Sequence, residues 1–292
     1  MPVVRSTLFR LATSEHWERA VRTTPWGERW AWRAAHRYFA GTTPGAAFDL
    51  TRQLASSGVA ASIDQFGELV KDATVAADVV AGYLQLAEQL ASLPHSTWLA
   101  VDLTHLGLDV DERRCADHLA AIAVALPAGQ RVQVGAEDYN RADAVLGCVL
   151  EAGQRGLEDR LGATIQANFH RSAGDVERLV EAGVHIRLVK GAYVEPPSRA
   201  LPYGEATDVA FLKLAHRLAA VGGSFSLATH DGVLREALLG ALGPRQVEQL
   251  LGVRPDVLAD LVSRGVPVRV YVPFGDAWFR YWMRRVAESR GT

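Results

Sequence analysis

The chain has 292 residues, 49% hydrophobic and 22% charged, with a net charge of −2 and a pI near 6.5. That length can bury one barrel-sized core or two ordinary ones, and the balanced charge gives no electrostatic case for nucleic acid or an anionic membrane as partner. Cys115 and Cys148 are too few for a disulfide framework and read as buried thiols. The first residues form no continuous apolar segment with a cleavage site, and no later run approaches the length of a membrane span. A cytoplasmic protein without stable membrane insertion is the expectation.

In chain order, residues 1–57 form a helical arm holding Trp17, Trp26, Trp30 and Trp32, broken by Gly41-Thr-Thr-Pro44. Four tryptophans in one arm call for a packing partner, within the chain or in a second copy, so a homo-oligomer stays open. From residue 58 to residue 292, short β-branched runs alternate with helical patterns. The runs lie at 59–64, 98–104, 131–134, 163–169, 185–190, 224–230, 246–251 and 266–272. Eight strands with helical crossovers predict an α/β fold, a (βα)8 TIM barrel with an N-terminal helical arm.

Chemistry in such a barrel sits at the C-terminal ends of the strands. The polar residues there are Asp64, Asp102, Glu137, Gln166, Asn168, Arg187, Lys190, Thr229, His230, Gln249 and Tyr271. Asp64 and Asn168 also read as satisfied buried polar groups, and a His at a strand end is commonly structural. In Arg187-Leu-Val-Lys-Gly-Ala-Tyr193, Gly191 and Ala192 let a ligand approach the backbone while Arg187 and Lys190 supply charge, a pattern suited to an anionic or phosphate-bearing cofactor. Thr229-His230-Asp231 adds donors to the same rim. After the last strand, the adjacent Arg284 and Arg285 make a seat for a carboxylate or phosphate, or else a solvated basic face. Tyr281 lies one turn before that pair and Glu288 one turn after it. No zinc spacing, Gly-x-Ser-x-Gly elbow or Gly-x-Gly-x-x-Gly turn occurs.

Four blocks together resemble the signature of the flavin-dependent proline dehydrogenases, in that family's order: Arg187-Leu-Val-Lys-Gly-Ala-Tyr193, Ala228-Thr-His230, Arg269-Val-Tyr-Val-Pro-Phe-Gly275 and Tyr281-x-x-Arg-Arg-x-x-Glu288. Weaker echoes at Asp64-x-x-Gly-Glu68, Ala136-Glu-Asp138 and Ile165-Gln-Ala167 extend the resemblance over residues 41–290. The resemblance implies a distorted (βα)8 barrel that holds FAD noncovalently and oxidises L-proline to Δ1-pyrroline-5-carboxylate. The electrons would pass to a membrane quinone, with dioxygen or another redox protein as alternatives; a quinone would require peripheral contact with the inner membrane. By motif position, Gln166, Arg187, Val189, Lys190, Gly191, Ala192, Thr229, His230 and Asp231 would line the FAD. Arg187 would stand at its reactive edge. Arg284 and Arg285 would hold the carboxylate of an amino-acid-like substrate, Tyr193, Tyr271 and Tyr281 would pack around it, and Glu288 would hold the arginine pair.

Two positions depart from the family pattern. A Lys is expected at the end of the second strand and an Asp at the end of the third, paired beside the substrate; here Asp102 and Gly135 stand in their places. Leu251 replaces an aromatic residue before Gly252, and Asp231 an Asn after His230. The expectation is a remodelled substrate site in which Asp102 meets a cationic nitrogen and Gly135 makes room for a larger group. The substrate would then be proline, or a different amine, hydrazine or modified cyclic amino acid. A flavin-binding protein without turnover is the alternative, with Asp102 paired to one of the two arginines.

Overall fold

Alternation along β8 (Val268–Phe274) shows how the fold is built: Val268, Val270, Val272 and Phe274 join the apolar layer between sheet and helices, while Arg269 and Tyr271 turn to the inside. The same period runs through β1 (Ala60–Gln65), β2 (Trp98–Val101), β3 (Val132–Val134), β4 (Leu161–Gln166), β5 (His185–Val189), β6 (Phe225–Ala228) and β7 (Val247–Leu250). These strands are parallel throughout and close into a barrel, β1 pairing with β8. The structure is a computed structural model that describes residues 21 and 23–289. Trp17 lies outside the described residues.

Helices α1 (Pro25–Ala35) and α2 (Pro44–Ser56) precede the barrel. The crossovers are α3 (Ala73–Gln89), α4 (Glu112–Ala125), α5 (Ala142–Ala152), α6 (Ser172–Glu181), α7 (Glu205–Ala220), α8 (Gly232–Leu242) and α9 (Pro255–Ser263), and α10 (Trp278–Ser289) follows β8. All eight expected strands are present. Most end earlier than expected, so Asp102, Asn168, Lys190, Thr229 and His230 stand in the loops just beyond β2, β4, β5 and β6. Cys115 and Cys148 are free and buried. Among the described residues, no helix is long and apolar enough to cross a membrane.

The break read at Gly41-Thr-Thr-Pro44 is the start of α2, where the Thr43 side chain accepts from the Ala46 amide and Pro44 occupies the first turn. Ala47 and Phe48 of α2 belong to the same core as the strands. Helix α1 instead packs on α10. Trp32 meets Trp278 edge-on at 5.3 Å, Phe39 stacks on Trp278 at 5.7 Å, and Trp30 meets Trp282 at 5.9 Å. Trp32 thus finds its partner within the chain, while Trp26 and Trp30 are exposed, Trp30 touching Trp282 at one edge.

The barrel interior is polar and charged where branched aliphatic residues commonly fill it. Arg269 lies 3.4 Å over the Trp98 ring and donates to the carbonyls of Ala61 and Ser96. His185 packs against the other side of this layer, 5.0 Å from the Trp98 ring centre, with its ring nitrogens on Ser224 at 2.8 Å and Ser226 at 3.4 Å. Burial, with Arg131, Arg187 and Arg269 nearby, pushes its pKa down to about 2. His105, packed on Tyr83, is pushed down to about 4 by burial.

Both imidazoles are therefore neutral when folded and gain protons on unfolding as pH falls below the ordinary histidine value. Their contribution to stability is present above about pH 6.5 and lost below it, at about 1.4 kcal/mol per pH unit for each. Urea unfolding is expected to show stability falling steadily between pH 6.5 and 4; a flat profile there would contradict the burial of neutral imidazoles.

Candidate active site

At the C-terminal mouth the cations of β5 are already matched by carboxylates. On β5, Arg187 donates from Nε to Glu248 Oε2 of β7 at 2.7 Å, and Ser226 of β6 donates to Glu248 Oε1 at 2.5 Å. The guanidinium is buried, yet its Nη2 has no partner among the described residues. His230 is the second such case. Its Nε2 accepts from the Leu250 amide at 3.3 Å, and burial, with Arg285, Arg235 and Arg254 nearby, lowers its pKa to about 4. A neutral ring that accepts at Nε2 carries its proton on Nδ1, and that buried Nδ1 also lacks a partner among the described residues. Two buried N–H donors without acceptors are costly unless a ligand completes them.

The surrounding residues are already engaged. Lys190, expected to offer its charge to a ligand, is held by Asp208 at 2.5 Å and Asp231 at 3.1 Å; burial opposes its charge, but these two carboxylates outweigh that and raise its pKa. Asp231 also caps α8, accepting from the amides of Val233 and Leu234, and its own amide donates to Thr229 Oγ1. Gly191 has φ of +112°, and a Cβ there would lie 2.0 Å from Asn168 Oδ1. The space over this glycine therefore belongs to Asn168, not to an approaching ligand. Gln166 donates to the Glu137 carbonyl at 2.9 Å, and Tyr193 to the Ala136 carbonyl at 3.1 Å, tying the loop after β5 to the loop after β3. Val189 and Ala192 flank this turn, Val189 half-buried.

A chain of contacts links the first strand to the last helix. Tyr271 donates to Asp64 Oδ2 at 2.5 Å, its ring lies 6.2 Å from Tyr281, and Arg285 sits 4.9 Å over the Tyr281 ring. Phe66 packs on the same tyrosine at 5.1 Å. Burial first, then Asp64, Tyr281 and Asp102, hold the Tyr271 hydroxyl well above its ordinary pKa, so it stays a donor. The side chains of Arg284 and Glu288 lie outside the described residues.

Asp102 and Gly135 form one unit. A Cβ at position 135 would fall 1.8 Å from Asp102 Oδ1, so the carboxylate fills the volume that glycine leaves. This corrects the expectation that Gly135 makes room for substrate: the room is taken by Asp102. Glu137 adds a third carboxylate on this side, accepting from the Thr104 amide and hydroxyl, with burial raising its pKa. Glu248, Ser226 and Asp208 were not singled out from sequence. A charged residue alternating into a strand with buried neighbours was the available signal for Glu248.

A family model described as proline dehydrogenase matches residues 47–292. The chain is 32% identical over 262 residues to proline dehydrogenase 1 of Bacillus subtilis, covering 87% of this chain and 86% of that one. It is 29% identical over 270 residues to proline dehydrogenase of Deinococcus radiodurans, covering 88% and 87%. Among solved structures, proline utilization A from Bdellovibrio bacteriovorus, inactivated by N-propargylglycine, superposes with a TM-score of 0.83 at 18% identity. The match covers 98% of this chain and 36% of that longer one, and it supports the barrel fold.

The packing of Asp102 over Gly135 gives a direct test. Gly135→Ala is expected to destabilise the protein by about 1 kcal/mol or more by displacing the carboxylate, and Asp102→Ala in the same chain to relieve that cost. Additive effects in the double-mutant cycle, read by urea unfolding, would mean that the two positions do not share one volume.

Proposed function

We propose, from the premise that this chain belongs to the proline dehydrogenase family, that it binds FAD at the mouth of the barrel and oxidises the C–N bond of a cyclic amino acid, L-proline or a close relative. The observation that carries this reading is the pair of buried donors without partners among the described residues, Arg187 Nη2 within β5 and His230 Nδ1 just beyond the neighbouring β6. The polar edge of a flavin ring is lined with acceptors, so these residues fit it. Bound there, FAD supplies the two-electron oxidation, taking hydride from a carbon next to nitrogen.

The chain's own residues bind and orient. Arg285, together with Arg284 beside it in sequence, takes the substrate carboxylate, since a guanidinium presents paired donors to two oxygens. Tyr281 and Tyr271 wall the site, fixed in turn by Phe66 and by the hydrogen bond to Asp64. A carboxylate held at one end and a wall at the other place the reacting carbon in a dry pocket. Asp102, on the opposite side, faces the amine and favours its cationic form during binding.

Asp102 over Gly135 favours a second reading of the substrate, because a carboxylate at this position suits a molecule carrying a basic nitrogen that proline lacks. Anaerobic mixing with L-proline, followed by flavin absorbance near 450 nm, a region roughly assigned from general flavin chemistry, distinguishes the two. Bleaching is expected if proline is the substrate. A protein that stays yellow with proline and bleaches with dithionite would point to a different amine or to a flavoprotein without turnover. Asp102→Lys combined with Gly135→Asp is then expected to raise proline turnover at least tenfold; no gain in proline oxidation would remove Asp102 as the determinant.

A further inference from the structure

Two guanidiniums, Arg187 and Arg269, and the His185 imidazole share the barrel interior, with half-buried Arg131 at its edge, and the carboxylate of Glu248 pairs with Arg187. Glu248 accepts from Arg187 Nε at 2.7 Å and from Ser226 Oγ at 2.5 Å, and its side chain is 4% exposed. Arg131 and Arg269 lie close enough for its charge to act on theirs. The hydroxyl of Ser226 in turn sits against His185. The pairing has a geometric consequence. Because Nε is spent on Glu248, the plane of the Arg187 guanidinium is oriented, and Nη2 is left buried without a partner among the described residues. It also has an electrostatic one: the positive charge presented by Arg187 is that of a neutralised pair in a low-dielectric interior, not of a free cation.

We infer that Glu248 is a positioning residue which, by fixing and neutralising Arg187, sets the reduction potential of the bound flavin. The inference rests on the flavin reading given above. A bare cation beside a flavin favours the electron-rich reduced form; a paired one favours it less. Glu248 therefore holds the potential down and keeps the reduced flavin ready to pass its electrons on. Ser226 moderates this by drawing part of the carboxylate charge into its own hydrogen bond. Without that hydroxyl, Glu248 bears more fully on Arg187.

The test is the midpoint potential of the FAD-bound protein, measured by dye-coupled anaerobic titration. Glu248→Gln keeps the size and a hydrogen-bond acceptor for Arg187 Nε while removing the charge. It is expected to favour reduction about tenfold, an upward shift of about 30 mV for a two-electron couple. Ser226→Ala is expected to move the potential the other way by a smaller step, and it decides the matter if the first variant does not fold. Yellow protein with unchanged potential in whichever of the two variants fold would overturn the role of Glu248 while leaving the flavin reading intact. A preparation that takes up no FAD would overturn both.

Discussion

A guanidinium enclosed in a closed barrel must be paired, stacked or completed by a ligand, and most of this structure follows from how three of them are handled. Leaving such a charge uncompensated costs about 3–5 kcal/mol, a large part of the net stability of a domain. Arg269 is satisfied by two carbonyls and the face of Trp98, and Arg131 leans on the same ring at 4.9 Å. Arg187 is paired with Glu248 but keeps one donor in reserve. Arg269 is thus satisfied within the protein, whereas Arg187 carries an unmet donor toward the proposed site.

Around the mouth, the carboxylates of Asp64, Asp102 and Glu137 come from β1, the end of β2 and the loop after β3, while Arg187 and Lys190 near β5 are paired with Glu248, Asp208 and Asp231 and stand with His230 and Arg285. In the proposed reading, a zwitterionic substrate would set its carboxylate toward α10 and its amine toward Asp102. The helical arm contributes indirectly. Its Trp32 and Phe39 fix Trp278 at the start of α10, and that helix carries Tyr281 and Arg285. Loosening the aromatic wedge would therefore reach the site through the helix.

The barrel was legible because alternating runs such as 266–272 have few other stable homes, and because Gly and Pro mark the turns between them. The Arg-rich final helix and the run from Arg187 to Tyr193 also stand out in the sequence, as adjacent guanidiniums and charges at a strand end. What sequence alone misjudged were positions decided by a neighbour from another strand. Lys190 looked like an available cation, yet Asp208 and Asp231 hold it. Gly191 and Gly135 looked like openings, yet Asn168 and Asp102 fill them. In the Trp-rich arm, the packing on α10 shows where Trp32 goes, while Trp26 and Trp30 stay exposed. Glu248 passed unnoticed because its partner lies 61 positions away in the chain.

The most direct measurement is a crystal structure of the purified protein grown with FAD. The flavin ring is expected within hydrogen-bond distance of both Arg187 Nη2 and His230 Nδ1, with Arg285 on the substrate side. Flavin bound elsewhere, with those two donors paired to protein or water, would contradict the assignment of the barrel mouth as the redox site.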